Sequence, residues 1–151
     1  MTTVLNGADE LKAKVGEHLG YSSYHEVTQE QVNLFADATG DHQWIHVDPE
    51  RAKSGPFGGP IAHGYLTLSL APSLIPEIVQ VHGFSMGVNY GCEKVRFSSP
   101  VPVGSNLRAG AELVGVDDVA GGVQVAMKLT FEVEGASKPS CVAEVVYRYY
   151  E

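Results

Sequence analysis

A chain of 151 residues, with 44% hydrophobic and 19% charged side chains, has room for one self-supporting core, so a single domain spanning 1–151 is expected. The net charge of −8, with ten Lys and Arg scattered rather than clustered, argues against nonspecific attraction to nucleic acid or an anionic membrane surface. Two cysteines, Cys92 and Cys141, are too few for a disulfide scaffold, and both are expected as small buried apolar residues in a reducing compartment.

The opening residues, MTTVLNGADEL, carry no basic flank followed by an apolar core, and no apolar run approaches the roughly 18 residues of a spanning helix. A cytoplasmic location is therefore expected. Asn6 can cap a short helix from Ala8 to about Val15, and Tyr21 to Glu26 reads as an edge strand. Thr28 with Gln31 has the spacing of a capping box ahead of a helix carrying Val32, Leu34, Phe35 and Ala38, which Gly40 ends. Asp48-Pro49 places a cap residue before a proline at the first helical position, predicting a short helix through about Lys53, and SGPFGGP after it must be a loop.

From Gly64 to about Leu74 apolar side chains fall on nearly every face, which predicts a helix enclosed by other structure, although Pro72 weakens its C-terminal part. Beyond Gly83 the period becomes two. Val123, Val125, Met127, Leu129, Phe131 and Val133 alternate with mostly polar neighbours, as a strand with one buried face does. The apolar positions are even from Phe84 to Cys92 but odd at Val95 and Phe97, so a bulge near Glu93 and Lys94 is expected. Strands from about Asn106 to Val116 and from Cys141 to Tyr150, with turn residues from Asp117 to Gly122, complete a meander. One enclosed helix and four or five long antiparallel strands imply an α+β fold in which a curled sheet wraps a central helix. A free strand edge and the apolar last strand (Val142, Val145, Val146, Tyr147, Tyr149) make a homodimer the expected assembly.

Chemistry concentrates in FADATGDHQWIHVDPERAKSGPFGGPIAHGY. Asp41 and His46 lie on a loop released by Gly40, where their side chains could converge on one water. A carboxylate and an imidazole sharing a water can remove one proton and deliver another, as addition of water across a polarised double bond requires. Gln43 could orient substrate or loop through its amide. Gly64, at the start of the enclosed helix, offers free N–H groups to a thioester oxygen that gathers negative charge. A plainer reading stands beside this one, since Asp after Gly is a common turn residue and His46 could simply bond the loop backbone. His42, His46 and His63 with Asp41 are metal-ligand types at a spacing that matches no usual zinc pattern, so no metal is expected. His18, His25 and His82 stand alone, and Trp44 is expected to pack the loop. Neither a phosphate-loop Lys-Ser/Thr ending nor a Gly-x-Ser-x-Gly elbow is present.

The string F-A-x-x-T-G-D-x-Q-x-I-H-x-D-P-x-x-A, followed by F-G-x-P-I-A-H-G, resembles the signature of MaoC-like (R)-specific enoyl-CoA hydratases of the hot-dog fold. NYGCEKVRFSSPVPVGS is similar to the strand and turn after the central helix in that family, including its nodulation-protein-N-like branch. The resemblance implies that Asp41 and His46 are catalytic and that the Gly64 amide holds the thioester oxygen. Gln43 stands where the family commonly has Asn, and Tyr65, Trp44 and Phe57 become pocket candidates. It further implies an acyl-CoA thioester as substrate with no cofactor beyond it, hydration of trans-2-enoyl-CoA to (R)-3-hydroxyacyl-CoA or the reverse, and paired subunits. Arg51, Lys53, Lys94 and Arg96 are candidates for the coenzyme A phosphates. A thioesterase on the same fold, releasing free thiol, and a non-catalytic acyl-thioester binding protein are the alternatives.

Overall fold

The structure is a computed structural model that describes residues 1–151. Its frame is an antiparallel sheet of long strands: β5 (Met86–Arg96), β6 (Asn106–Val119), β7 (Gly122–Val133) and β8 (Cys141–Tyr150). Two short strands, β2 (His18–Tyr21) and β3 (His25–Glu26), both pair with β6, so the order across the sheet is β2-β6-β7-β8-β5. The period-two pattern lands as predicted: Val123, Val125, Met127, Leu129 and Phe131 of β7 are all buried. Each such side chain is worth about 1.5–3 kcal/mol when fully withdrawn from water. The hairpin between β6 and β7 is tighter than expected, because β6 continues to Val119 and pairs with Gly122.

The expected bulge in β5 is present. Its pairing with β8 slips between Glu93 and Arg96, and Lys94 adopts a left-handed φ of 53°, which turns the apolar residues from even to odd positions. A second slip, between Asn89 and Gly91, had no signal in the apolar pattern. β8 lies inside the sheet, so the apolar last strand is not the free edge. β5 is the long strand at the border, with Met86, Val88 and Tyr90 exposed. Cys141 is buried, but Cys92 sits on this border strand and is exposed, contrary to expectation.

Helices cover the sheet. α1 (Gly7–Ala13) follows Asn6, whose side chain makes no capping bond; the Glu10 carboxylate instead accepts the Asn6 N–H at 2.6 Å. α2 (Gln29–Thr39) starts on Thr28, whose hydroxyl accepts from the Gln31 N–H at 3.1 Å, and ends on Gly40 at φ 82°, a conformation glycine adopts freely. A single turn, α3 (Trp44–Val47), occupies what the sequence suggested was loop, and α4 (Pro49–Lys53) is capped by the Asp48 carboxylate as predicted.

The central helix is two segments, α5 (Gly64–Ser69) and α6 (Ala71–Ile78), interrupted at Leu70. Pro72 explains the break: it lies in the first turn of α6, where its missing N–H needs no helical partner. The helix also runs beyond Leu74 to Ile78. Leu66, Thr67, Ala71, Leu74, Ile75 and Ile78 are buried, whereas Tyr65, Ser69, Pro72 and Pro76 leave one side uncovered. The sheet therefore encloses the helix on most sides, not all. A parallel pair outside the main sheet, β1 (Thr3–Asn6) with β4 (Val79–His82), was not foreseen. No helix is long and apolar enough to cross a membrane.

Candidate active site

The link between α2 and α4 brings the titratable groups together. Gly40 turns the chain out of α2, and the Asp41 N–H then meets the Thr39 hydroxyl at 3.5 Å while Asp41 Oδ1 accepts the Gln43 N–H at 3.3 Å. These bonds fix the carboxylate at the mouth of the site, about half exposed to solvent. α3 carries His46 inward until only 6% of it is exposed. Gln29 of α2 secures that turn, its side-chain amide donating to the His46 carbonyl at 2.8 Å.

His46 bonds the loop backbone, as the plainer sequence reading held, yet only through one nitrogen. Nδ1 lies 2.7 Å from the Ile61 carbonyl oxygen, which can only accept, so Nδ1 carries the hydrogen and Nε2 keeps a free lone pair. The backbone bond thus sets the tautomer that a proton acceptor needs.

His63, the residue before α5, completes the cluster. It is 3% exposed, and its ring stacks on that of His46 with centroids 3.9 Å apart and planes 25° apart. Phe35 of α2 packs against His63 at 4.9 Å. Nε2 of His63 donates to the Asp41 backbone carbonyl at 2.9 Å and lies 4.0 Å from Asp41 Oδ2, while its Nδ1 is buried without a partner. The sequence offered His63 only as a metal ligand. Its structural part was hidden because it stands 22 residues from the carbonyl that it holds.

One ligand-type atom from each of Asp41, His46 and His63 falls within 4.8 Å of the others. Such a set resembles a metal site in residue type. A coordinating imidazole nitrogen must be free of hydrogen, however, and the His63 Nε2 that faces Asp41 holds its hydrogen on a carbonyl. His42, the fourth residue considered, points to Asp37 at 3.0 Å, and that bond raises its pKa.

Gly64 opens α5, and its N–H donates to no group of the protein. It borders a recess of about 240 Å³ with Phe57, Ile61, Thr67, Phe97 and Ser140. None of Asp41, His46 and His63 lines this recess; Ile61, which borders it and receives the His46 hydrogen, is the link between the free Gly64 amide and the His46–Asp41 pair. The Phe97 ring lies over Gly64 so closely that a Cβ there would meet it at 3.0 Å. Only glycine fits.

The other candidates disperse. Gln43 contributes its backbone N–H, while its side chain is exposed and makes no hydrogen bond as a cap. Tyr65 is 71% exposed and meets Phe97 edge-on at 5.8 Å, so it faces outward from this chain. Trp44 packs loop residues, with Arg51 stacked over its ring at 4.3 Å and Gly55 close beneath. Lys53 pairs with Glu50, and Arg96 donates to the Val95 carbonyl. Among the lone histidines, His25 bonds Glu77 at 2.6 Å.

Comparison with known proteins adds the lineage. Residues 10–134 match the model of the MaoC like domain. The chain belongs to the MaoC-like dehydratase family. It is 57% identical to 3-hydroxyacyl-thioester dehydratase Z of Mycobacterium tuberculosis over 93% of both chains. It is also 41% identical to nodulation protein N of Rhizobium leguminosarum bv. viciae, over 89% of this chain and 85% of that one. The R-hydratase PhaJ1 of Pseudomonas aeruginosa superposes with a TM-score of 0.71 at 26% identity, covering 91% of this chain and 82% of that one. The sheet and central helix are thus the hot-dog fold of MaoC-like dehydratases, and the protein is a hydro-lyase.

Proposed function

We propose that this MaoC-like dehydratase adds water to a trans-2-enoyl-CoA to give an (R)-3-hydroxyacyl-CoA, or runs the reverse dehydration, with Asp41 and His46 as its catalytic pair. The observation that carries this reading is that a ring nitrogen of His46 and a carboxylate oxygen of Asp41 lie within 4.8 Å of one another, with the His46 tautomer fixed by Ile61 and its Nε2 left free. One water held between the two groups attacks C3, and the thioester oxygen takes up charge against the Gly64 N–H, which has no other partner. A proton delivered to C2 completes the addition. Every atom comes from water and substrate, so the reaction needs no cofactor beyond the coenzyme A already in the substrate.

The active unit is a homodimer in which the β5 borders of two copies pair. Support comes from the exposed Met86, Val88 and Tyr90 on a strand whose outer edge is free and from the uncovered side of the central helix at Tyr65 and Pro72. Tyr65 then gains cover from the partner copy and reaches substrate there. The two free thiols, one of them exposed, suit the cytoplasm.

Mixing the protein with crotonyl-CoA tests the reaction. Hydration removes the absorbance of the conjugated thioester, releases no free thiol to a thiol-reactive dye, and yields the (R)-product on a chiral column. Thiol release would assign a thioesterase, and saturable binding without turnover would assign a binding protein.

A further inference from the structure

Two of the three buried side-chain atoms that find no hydrogen-bond partner, Gln29 Oε1 and His63 Nδ1, belong to residues that touch His46. An acceptor left unpaired away from water costs stability, so its presence in a folded protein calls for a reason. Both residues spend their other end in the same way. His63 Nε2 donates to the Asp41 carbonyl at 2.9 Å, and Gln29 Nε2 donates to the His46 carbonyl at 2.8 Å. A carbonyl oxygen can only accept, so the nitrogen of the Gln29 amide is the atom that faces His46, and its oxygen is the one left bare.

His46 depends on this bond because of where its turn ends. α3 covers only Trp44–Val47, and the last carbonyls of a helix have no N–H of their own turn to accept. The residue three places beyond His46 is Pro49, which has no N–H. Gln29, in the first turn of α2, supplies the donor instead. Its amide arrives already oriented: the second hydrogen goes to Asn33 Oδ1 at 2.9 Å, one turn further along α2.

We infer that Gln29 is a positioning residue for the reaction, fixing the main chain of His46 while the Ile61 carbonyl, 2.7 Å from Nδ1, fixes its ring. The inference rests on the reading of His46 as one of the catalytic pair. Gln29 acts through His46 alone. Its bare oxygen is the cost of turning the donor end of the amide toward that residue.

Gln29→Met keeps the length of the side chain and removes the donor. In hydration of crotonyl-CoA its kcat is expected to fall roughly 10-fold with KM unchanged, as for a reacting group held slightly out of place. Gln29→Glu, of the parent's shape, offers the His46 carbonyl no hydrogen when ionised and falls at least as far. Gln31→Met, on the same helix, keeps the parent rate, since Gln31 gives only its backbone N–H to the cap of α2. In a His46→Gln background, Gln29→Met brings no further loss, because nothing remains for it to position. Nitrogen-15 spectra of labelled histidines give a readout without turnover: His46 appears as one tautomer, with its hydrogen on Nδ1, in the parent and as an average of two in Gln29→Met. A parent-like kcat or an unchanged tautomer in Gln29→Met overturns the inference, as does an equal further loss in the His46→Gln background. A parent protein that does not hydrate crotonyl-CoA counts against the hydratase alone, and the tautomer signal then decides on Gln29.

Discussion

The imidazole of His63 is stacked on that of His46 at 3.9 Å and donates its Nε2 hydrogen to the backbone carbonyl of Asp41 at 2.9 Å. One side chain therefore braces both members of the candidate pair, one through its ring face and the other through the main chain. His63→Ala removes both supports without removing either reacting group. Hydration by this variant is expected to fall roughly 10²-fold in kcat, the effect of misplacing groups by about an ångström. KM for crotonyl-CoA should change little, and the circular dichroism should stay native. An unchanged kcat would show that the Asp41 loop holds its place without the brace.

Gly64 and Phe97 make a second pair. Gly64→Ala keeps the backbone N–H but sets a Cβ 3.0 Å from the Phe97 ring. A loss of roughly 10- to 100-fold in kcat/KM is expected from displacement of the ring and the helix start. Gly64→Ala combined with Phe97→Leu should recover much of it by making room. If the single variant is fully active, the close fit at Gly64 has no part in the chemistry.

The sequence disclosed this neighbourhood well wherever the cause was local. Gly40, Thr28, Asp48 and the alternation along β7 each act within a few residues, and the structure has them as predicted. The slip at Lys94 was legible too, because a change from even to odd apolar positions requires one. What stayed hidden depends on distant partners. Cys92 and Tyr65 were expected to be covered, and only the strand order, with β5 on the border, leaves Cys92 exposed. The β1–β4 pairing joins residues more than seventy positions apart, and no short-range pattern signals it. At the candidate site, Asp41, His46 and Gly64 were read from one ordered motif. The brace from His63 and the Ile61 carbonyl that fixes the His46 tautomer appear only when the chain is folded.

The β5 border yields a prediction about assembly. Val88→Asp with Tyr90→Asp places charge on the border strand, where both residues are exposed in one chain. Sedimentation velocity should show the parent protein as a dimer and the double variant as a folded monomer with lost hydration. A double variant that stays dimeric would move the interface to another surface.

Glu77 of α6 sets part of the acid stability. The Ser23 hydroxyl first, with His25 and the Ser23 N–H after it, holds the Glu77 carboxyl below its ordinary value of 4.5, against the opposing effect of partial burial. The folded value is depressed, so the stabilisation is fully present above about pH 4.5 and is lost as pH falls through the lower folded value. Glu77→Gln should unfold at lower urea concentration at pH 7 and show a shallower decline of stability with acid. An acid limb of unchanged slope would mean that the Ser23 and His25 contacts contribute nothing measurable in solution.

The decisive measurement is single-substitution kinetics on crotonyl-CoA with Asp41→Asn and His46→Gln, each with native circular dichroism and an unaltered assembly state. Each change keeps the size of the side chain approximately and removes its capacity to take up a proton, so kcat should fall roughly 10²- to 10⁴-fold. The double variant should be little worse than the poorer single one, because both groups act on one water. Either variant hydrating crotonyl-CoA at the parent rate would contradict the assignment of Asp41 and His46 as the pair that activates water.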